Sequence, residues 1–179
     1  TESQLHNVER ALNKGQRQRD DLQKRSVSLG NELKKLKQQK YAISDEQLRP
    51  YFPANTVLSG LFNTVNRLFG ITVTEINEFD SYHEDVRFFA IHDQQGTLRG
   101  HFYLDLYARE HKRGGAWMDN LVGRAKLSDG TIRLPNAVLV CNQTPPAGGR
   151  PSLMSHREVE TLFHEFGHGL QHMLTTVDL

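Results

Sequence analysis

At Gly70 the spacing of the apolar residues changes, and no single class of secondary structure satisfies both halves of the pattern. Before it, Val57, Leu58, Leu61, Phe62, Val65, Leu68 and Phe69 recur at helical spacing and predict a helix over 56–69, with Gly70 as its stop. After it come β-rich runs at 71–76, 86–91, 98–107 and 132–141. The turn signal Asp93-Gln94-Gln95-Gly96 between the second and third runs suggests a hairpin. The stretches 112–117 and 145–151 are rich in glycine or proline and read as loops; neither ends in the Lys-Ser/Thr of a phosphate-binding loop. From Ser155 the helical period returns. The order is helix, helix, small sheet, helix: an α+β fold, mainly helical, with a small β-sheet beside the last helix.

That last helix carries the chemistry. Ser155-His156-Arg157-Glu158 has the spacing of a capping box and places the helix start at about residue 156. Val159, Leu162, Phe163, Phe166, Leu170, Met173 and Leu174 then fall within an arc of roughly 120°. On the opposite side His164 and His168 stand about 40° apart, with Glu165 about 60° beyond His168. One face enters the core and the other is offered to an ion.

Zinc favours neutral imidazole, and histidines at i and i+4 aim two rings at one point. His164 and His168 are therefore the candidate metal ligands. Glu165, one residue past the first ligand, misses the metal yet can reach a zinc-bound water, accept its proton and pass it to a leaving amine. His-Glu-x-x-His at 164–168 matches the metalloprotease pattern. Nine His and 11 Glu in 179 residues give roughly 0.03 such matches by chance. His172, a turn further on, reads as solvated or supporting, since a third ligand from the same helix would crowd the site. Cys141 reads as a buried strand residue, and no Cys-His nucleophile pair is evident.

Residues 1–43 form a different kind of segment. Leu5, Val8, Leu12, Leu22, Leu29, Leu33, Leu36 and Ile43 share one heptad frame, which Gly15, Arg19 and Ser26 interrupt. Either two helices fold back around Gly15, or one long helix packs on a larger body. Residues 1–40 carry ten Lys/Arg against five Asp/Glu, but both signs alternate and no aromatic appears before Tyr41, which favours a solvated helix face over nucleic-acid binding. No run approaches the roughly 18 apolar residues of a membrane span, no signal-peptide core is visible, and the single cysteine excludes an internal disulfide. These features lead to the expectation of a cytoplasmic protein with neither nucleic acid nor membrane as partner.

Several blocks of residues resemble the thimet oligopeptidase and oligopeptidase A family of zinc metallopeptidases. They are Tyr41 to Pro53, Asp85-Val86-Arg87-Phe88-Phe89, Phe102-Tyr103-Leu104-Asp105-Leu106-Tyr107-Ala108-Arg109-Glu110, Lys112 to Asp119, Val138 to Asn142 and Leu162 to Leu170. The resemblance implies one zinc ion on His164 and His168, Glu165 as general base, and short peptides as substrates, cleaved within a deep channel. It also implies that the strand at 137–142 is an edge on which the peptide pairs. The family's third ligand is a glutamate some two dozen residues past the second histidine, whereas this chain ends eleven residues past His168. The longer pattern ending in a third histidine fails as well, because Gln171 and Leu174 stand where Gly and His are required. Residues 1–36 show no match to the family's motifs. The expected organisation is a helical, coiled-coil-like segment at 1–43 and a partial metallopeptidase catalytic domain at 44–179, completed by a missing C-terminal part. The competing reading is a catalytically inactive fragment or truncated homologue that acts as an interaction module.

Overall fold

The structure, a computed structural model, describes residues 2–41 and 44–177 and divides the chain into two units, 1–47 and 48–179. The first unit is one uninterrupted helix, α1 (Glu2–Tyr41), followed by the short helical turn α2 (Asp45–Leu48) at the boundary. The chain does not fold back at Gly15: nothing lies within 4 Å of the place a Cβ would occupy there, and the helix runs straight through. Of the heptad stripe, Leu12, Leu22, Leu29, Leu33 and Leu36 are exposed, while the side chains of Leu5, Val8 and Ile43 lie outside the described residues. No described helix is long and apolar enough to cross a membrane.

The second unit confirms the α+β pattern. After a 3-10 turn at Arg49–Tyr51, α3 (Ala54–Phe69) buries Val57, Leu58, Leu61 and Val65. It ends where the sequence signals, because Gly70 adopts φ 67° and returns its N–H to the Asn66 carbonyl at 2.8 Å. Seven strands follow: β1 (Thr72–Ile76), β2 (Arg87–His92), β3 (Leu98–Tyr107), β4 (Trp117–Val122), β5 (Ala125–Lys126), β6 (Ile132–Arg133) and β7 (Asn136–Gln143). Five make a mixed sheet in the order β1-β2-β3-β7-β4, parallel only between β3 and β7; β5 and β6 pair separately. The hairpin between β2 and β3 turns as expected, with the Asp93 carboxylate accepting from the N–H groups of Gln95 and Thr97. The run at 132–141 is two strands broken before Pro135, whose ring denies the backbone a donor. Strand β4 is not legible in the sequence, since Asp119, Asn120 and Leu121 are all exposed and no alternation marks it.

Helix α4 (His156–Met173) lies across β3, β7 and β4. Its buried residues Leu162, Phe166, Leu170 and Met173 meet Phe102, Leu139 and Cys141 in the main core, where Phe166 packs edge-on to Phe102 at 5.4 Å. Four such side chains contribute about 6–12 kcal/mol as an upper bound. That exceeds the roughly 2 kcal/mol that Gly167 and Gly169 cost as helix-interior residues. A Cβ at the second glycine would sit in ordinary contact with Leu139, 3.4 Å from its Cδ1, so packing against the sheet leaves room for a small side chain there. The helix start is fixed by the anticipated capping box. Ser155 Oγ accepts from the Glu158 N–H, and the Ser155 N–H donates to Glu158 Oε2 at 2.6 Å. Arg49 joins it through Leu153 O and Glu158 Oε2, and the Met154 N–H donates to the Phe52 carbonyl.

A buried ionic cluster holds the far end of the sheet. Asp105 and Lys112 have side chains only 3% and 5% exposed, paired at 2.8 Å, and Arg109 adds two bonds to the same carboxylate. The Lys112 ammonium also donates to the carbonyls of Asp105, Tyr107 and Cys141, so it ties β3 to β7 at their C-terminal ends. Burial acts to raise the Asp105 pKa, but hydrogen bonds from Arg109, Lys112 and Tyr82 outweigh it and hold the carboxyl below the ordinary carboxylate value.

Asp105→Ala should destabilise the chain by about 3–5 kcal/mol in urea denaturation, because it leaves Lys112 buried without its counter-charge. With a folded pKa below the unfolded one, the carboxylate's contribution is complete above about pH 4 and is lost as pH falls through the folded value. Asp105→Asn should therefore lower stability at pH 7 and flatten its dependence below pH 4; an unchanged acid limb would contradict the assignment. Gly100→Ala should cost about 1–3 kcal/mol in thermal denaturation. A Cβ there would lie 2.9 Å from the Pro135 carbonyl, which already accepts from His101, and 3.3 Å from Met173 Cβ on α4.

Candidate active site

Because the apolar stripe of α4 is spent on the sheet, the opposite side of the helix is presented outward. His164 and His168 are exposed, and Glu165 is half-buried. The two imidazoles meet edge to face with centroids 4.7 Å apart, and their Nε2 atoms are separated by 3.1 Å. Two nitrogens on one tetrahedral zinc at about 2.0–2.1 Å stand about 3.3 Å apart, so these rings already converge at close to the ligand spacing. The pair fits half of a zinc site. Among the described residues no group of three or more His, Cys, Asp or Glu could hold a metal ion.

Glu165 faces the sheet side of the helix. Its charge is the second cause, after burial, of the upward push on the Cys141 thiol, to about 12. Cys141 is thus a protonated core residue with no thiolate character, as its place in an apolar strand suggests. His172 does not turn toward the histidine pair. A ring nitrogen lies 3.0 Å from the Val122 carbonyl, so the residue fastens the last turn of α4 to the end of β4.

The structure corrects the expected peptide-binding edge. β7, which contains 137–142, pairs with β3 on one side and, over 136–140, with β4 on the other, so it is an interior strand of the sheet. The sheet has two edge strands, β1 and β4, and of these β4 is the one packed beside α4. Its direction follows from two anchors: Gly115 and Ala116 border the same cavity as Ser155, Glu158 and Thr161, and Val122 meets His172. Helix and strand therefore run side by side in the same sense. About 12 helical residues and about 6 strand residues both span roughly 18–20 Å, which sets the His164–His168 turn beside the middle of β4.

Two groups that support this edge escape a reading of the sequence. Lys112 anchors the loop that leads into β4, and Asn142 Nδ2 donates to the carbonyls of Arg113 (2.8 Å) and Gly115 (2.6 Å) in the same loop. One signal for them exists. Asp105 interrupts the apolar run Phe102-Tyr103-Leu104-Asp105-Leu106-Tyr107, and a carboxylate inside a strand of that kind demands a buried cation.

The sequence profile of Peptidase family M3 matches residues 31–179. Oligopeptidase A of Salmonella typhimurium is 58% identical over 144 residues, which cover 80% of this chain and 21% of that protein. Oligopeptidase A of Escherichia coli is 55% identical over 159 residues, covering 89% of this chain and 23% of that protein. Organellar oligopeptidase A of Arabidopsis thaliana is 45% identical over 173 residues, covering 94% of this chain and 22% of that protein. The chain thus spans about a fifth of the length of these curated relatives, and the likeness reaches into residues 1–36, where no motif is visible. With the profile running through the sheet and the histidine helix alike, the chain belongs to peptidase family M3.

Proposed function

We propose that this chain is the part of a zinc-dependent oligopeptidase that supplies two metal ligands, the general base and the substrate-pairing edge. The observation that carries the reading is the convergence of His164 and His168 Nε2 atoms at 3.1 Å, with Glu165 between them in sequence and the open strand β4 alongside. His164 and His168 would hold the zinc, and the remaining ligand would come from polypeptide outside these residues. Bound there, zinc supplies Lewis-acid polarisation of a carbonyl and makes water more acidic.

The chain's own groups do the rest. An extended peptide pairs its backbone with β4, whose N–H and C=O groups on the open side have no strand partner, and this holds the scissile amide over the histidine turn. The Glu165 carboxylate accepts a proton from the attacking water and delivers it to the leaving amide nitrogen. His172 and Asn142 keep helix, strand and loop in place. Oligopeptidase A relatives share this segment, which supports short peptides as the substrate class. A reducing, cytoplasmic setting accords with a single cysteine buried in the core.

Two measurements test this. Isothermal titration of the 179-residue chain with zinc should give weak, micromolar or poorer binding that His164→Ala abolishes, since catalytic zinc normally has three protein ligands. Nanomolar affinity, or binding indifferent to His164, would overturn the ligand assignment. In a version extended to the length of the family relatives, Glu165→Gln should keep zinc and lower turnover of a fluorogenic peptide about 10²–10⁴-fold. Undiminished hydrolysis in that variant would remove Glu165 from the role of base.

A further inference from the structure

The ladder between β4 and β7 begins at the Trp117–Val140 pair. Ahead of it, the chain at Arg113 and Gly115 is held to β7 through the Asn142 side chain, whose amide donates to both carbonyls. A side-chain amide spaces two strands further apart than direct backbone pairing does, and a cavity of 420 Å³ opens at this split. Gly115, Ala116 and Cys141 border it from the sheet, and Arg157 and Thr161 from the first two turns of α4. Its size falls within the range of small-molecule sites.

The cavity adjoins the groups assigned to the chemistry. Cys141, one of its walls, is the thiol on which the Glu165 carboxylate acts. Ala116 and Met118 both pack against the main core, on the α4 side of the sheet. Thr161 precedes Glu165 by four residues, about 6 Å along the helix axis. Two residues of an extended peptide span nearly the same distance, about 6.6 Å, and their side chains share a face. A peptide paired with β4 and cleaved at Glu165 would therefore send a side chain into the cavity. Antiparallel pairing, the more stable sense, makes it one on the leaving-amine side of the scissile bond.

The charges around the cavity are balanced. Ser155 and Glu158 bond each other and Arg49, Thr161 Oγ1 donates to the Arg157 carbonyl, and Gln143 Oε1 is out of reach of solvent. The Arg49 and Arg157 guanidiniums oppose an ammonium group, and the Glu158 and Glu165 carboxylates oppose an anion. Uncharged surface remains at Ala116 and Cys141, and covering it with apolar atoms is favourable. We infer that the cavity is a subsite for a bulky apolar side chain, leucine or phenylalanine, and that the small size of Ala116 keeps it open. As a subsite of the proposed peptidase, this inference rests on that reading, but it can be tested without turnover.

The test is a titration of the ¹⁵N-labelled 179-residue chain, free of zinc, followed through the backbone amide signals of Ala116 and Thr161. The probes are acetyl-Gly-Leu-Gly N-methylamide and its Ala, Glu and Lys counterparts. The leucine peptide should shift both signals and bind about tenfold more tightly than the alanine peptide, with the glutamate and lysine peptides no better than alanine. Ala116→Leu and Thr161→Leu fill the cavity from opposite walls, and each should bring the leucine and alanine peptides to equal affinity. Leucine is a better helix former than threonine, so the second variant keeps α4 intact. Signals unmoved by the leucine peptide, equal affinity for leucine and alanine in the parent chain, tighter binding of the glutamate peptide, or discrimination that survives both variants would each overturn the subsite. Because no bond is cleaved, a failure of the catalytic reading would appear only in the Glu165→Gln and zinc measurements.

Discussion

The burial of one stripe of α4 on the sheet is the contact that the rest of the site depends on. Leu162, Phe166, Leu170 and Met173 reach into the same core as Phe102 and Leu139. With the helix rotation fixed by that contact, His164 and His168 have only one direction left to face. Their separation of 3.1 Å then follows from helical geometry, and Glu165 is carried to the sheet side, where Cys141 feels its charge. The capping box fixes where the first turn begins. A helix rotated by a single residue, about 100°, would swing the pair away from the strand edge.

Strand β4 is placed by a different force. Its exposed residues bury too little apolar surface to hold it, so its entry loop is held by polar groups: the Lys112 ammonium among four oxygens and the Asn142 amide between two carbonyls. The lysine is buried, and Asp105 with Arg109 makes that burial tolerable. At its other end, β4 is held by His172. Ionic and hydrogen-bonded fastening therefore positions the edge, and apolar packing positions the helix.

Some of this arrangement is legible in the order of residues. The helix at 54–69 with its glycine stop, the turn at Asp93 and the capped start of α4 each rest on interactions within a few residues of chain, and each stands where its local pattern places it. The inward face of α4 follows its apolar spacing except at Phe163, which is exposed. The substrate edge is not legible, for a physical reason. Whether an apolar strand such as 137–142 lies inside a sheet or at its border depends on which strands pair with it, and β4, which covers it, carries no alternation to announce itself. The orphaned amide of Gln143 is equally hidden, since a glutamine at a strand end reads as surface until its neighbours are known.

What the sequence determined alone was the local grammar and the chemistry. Spacing along one helix puts two imidazoles and a carboxylate on a polar face, because 3.6 residues per turn leaves no alternative. Family membership is carried by residues 31–179 as a whole. What only the tertiary structure decided was everything that joins distant parts of the chain: the strand order β1-β2-β3-β7-β4, the open edge, the Asp105–Lys112 pairing and the cavity at Ala116. Those depend on contacts between residues far apart in the chain, set by the summed packing and pairing of the whole unit rather than by any local pattern.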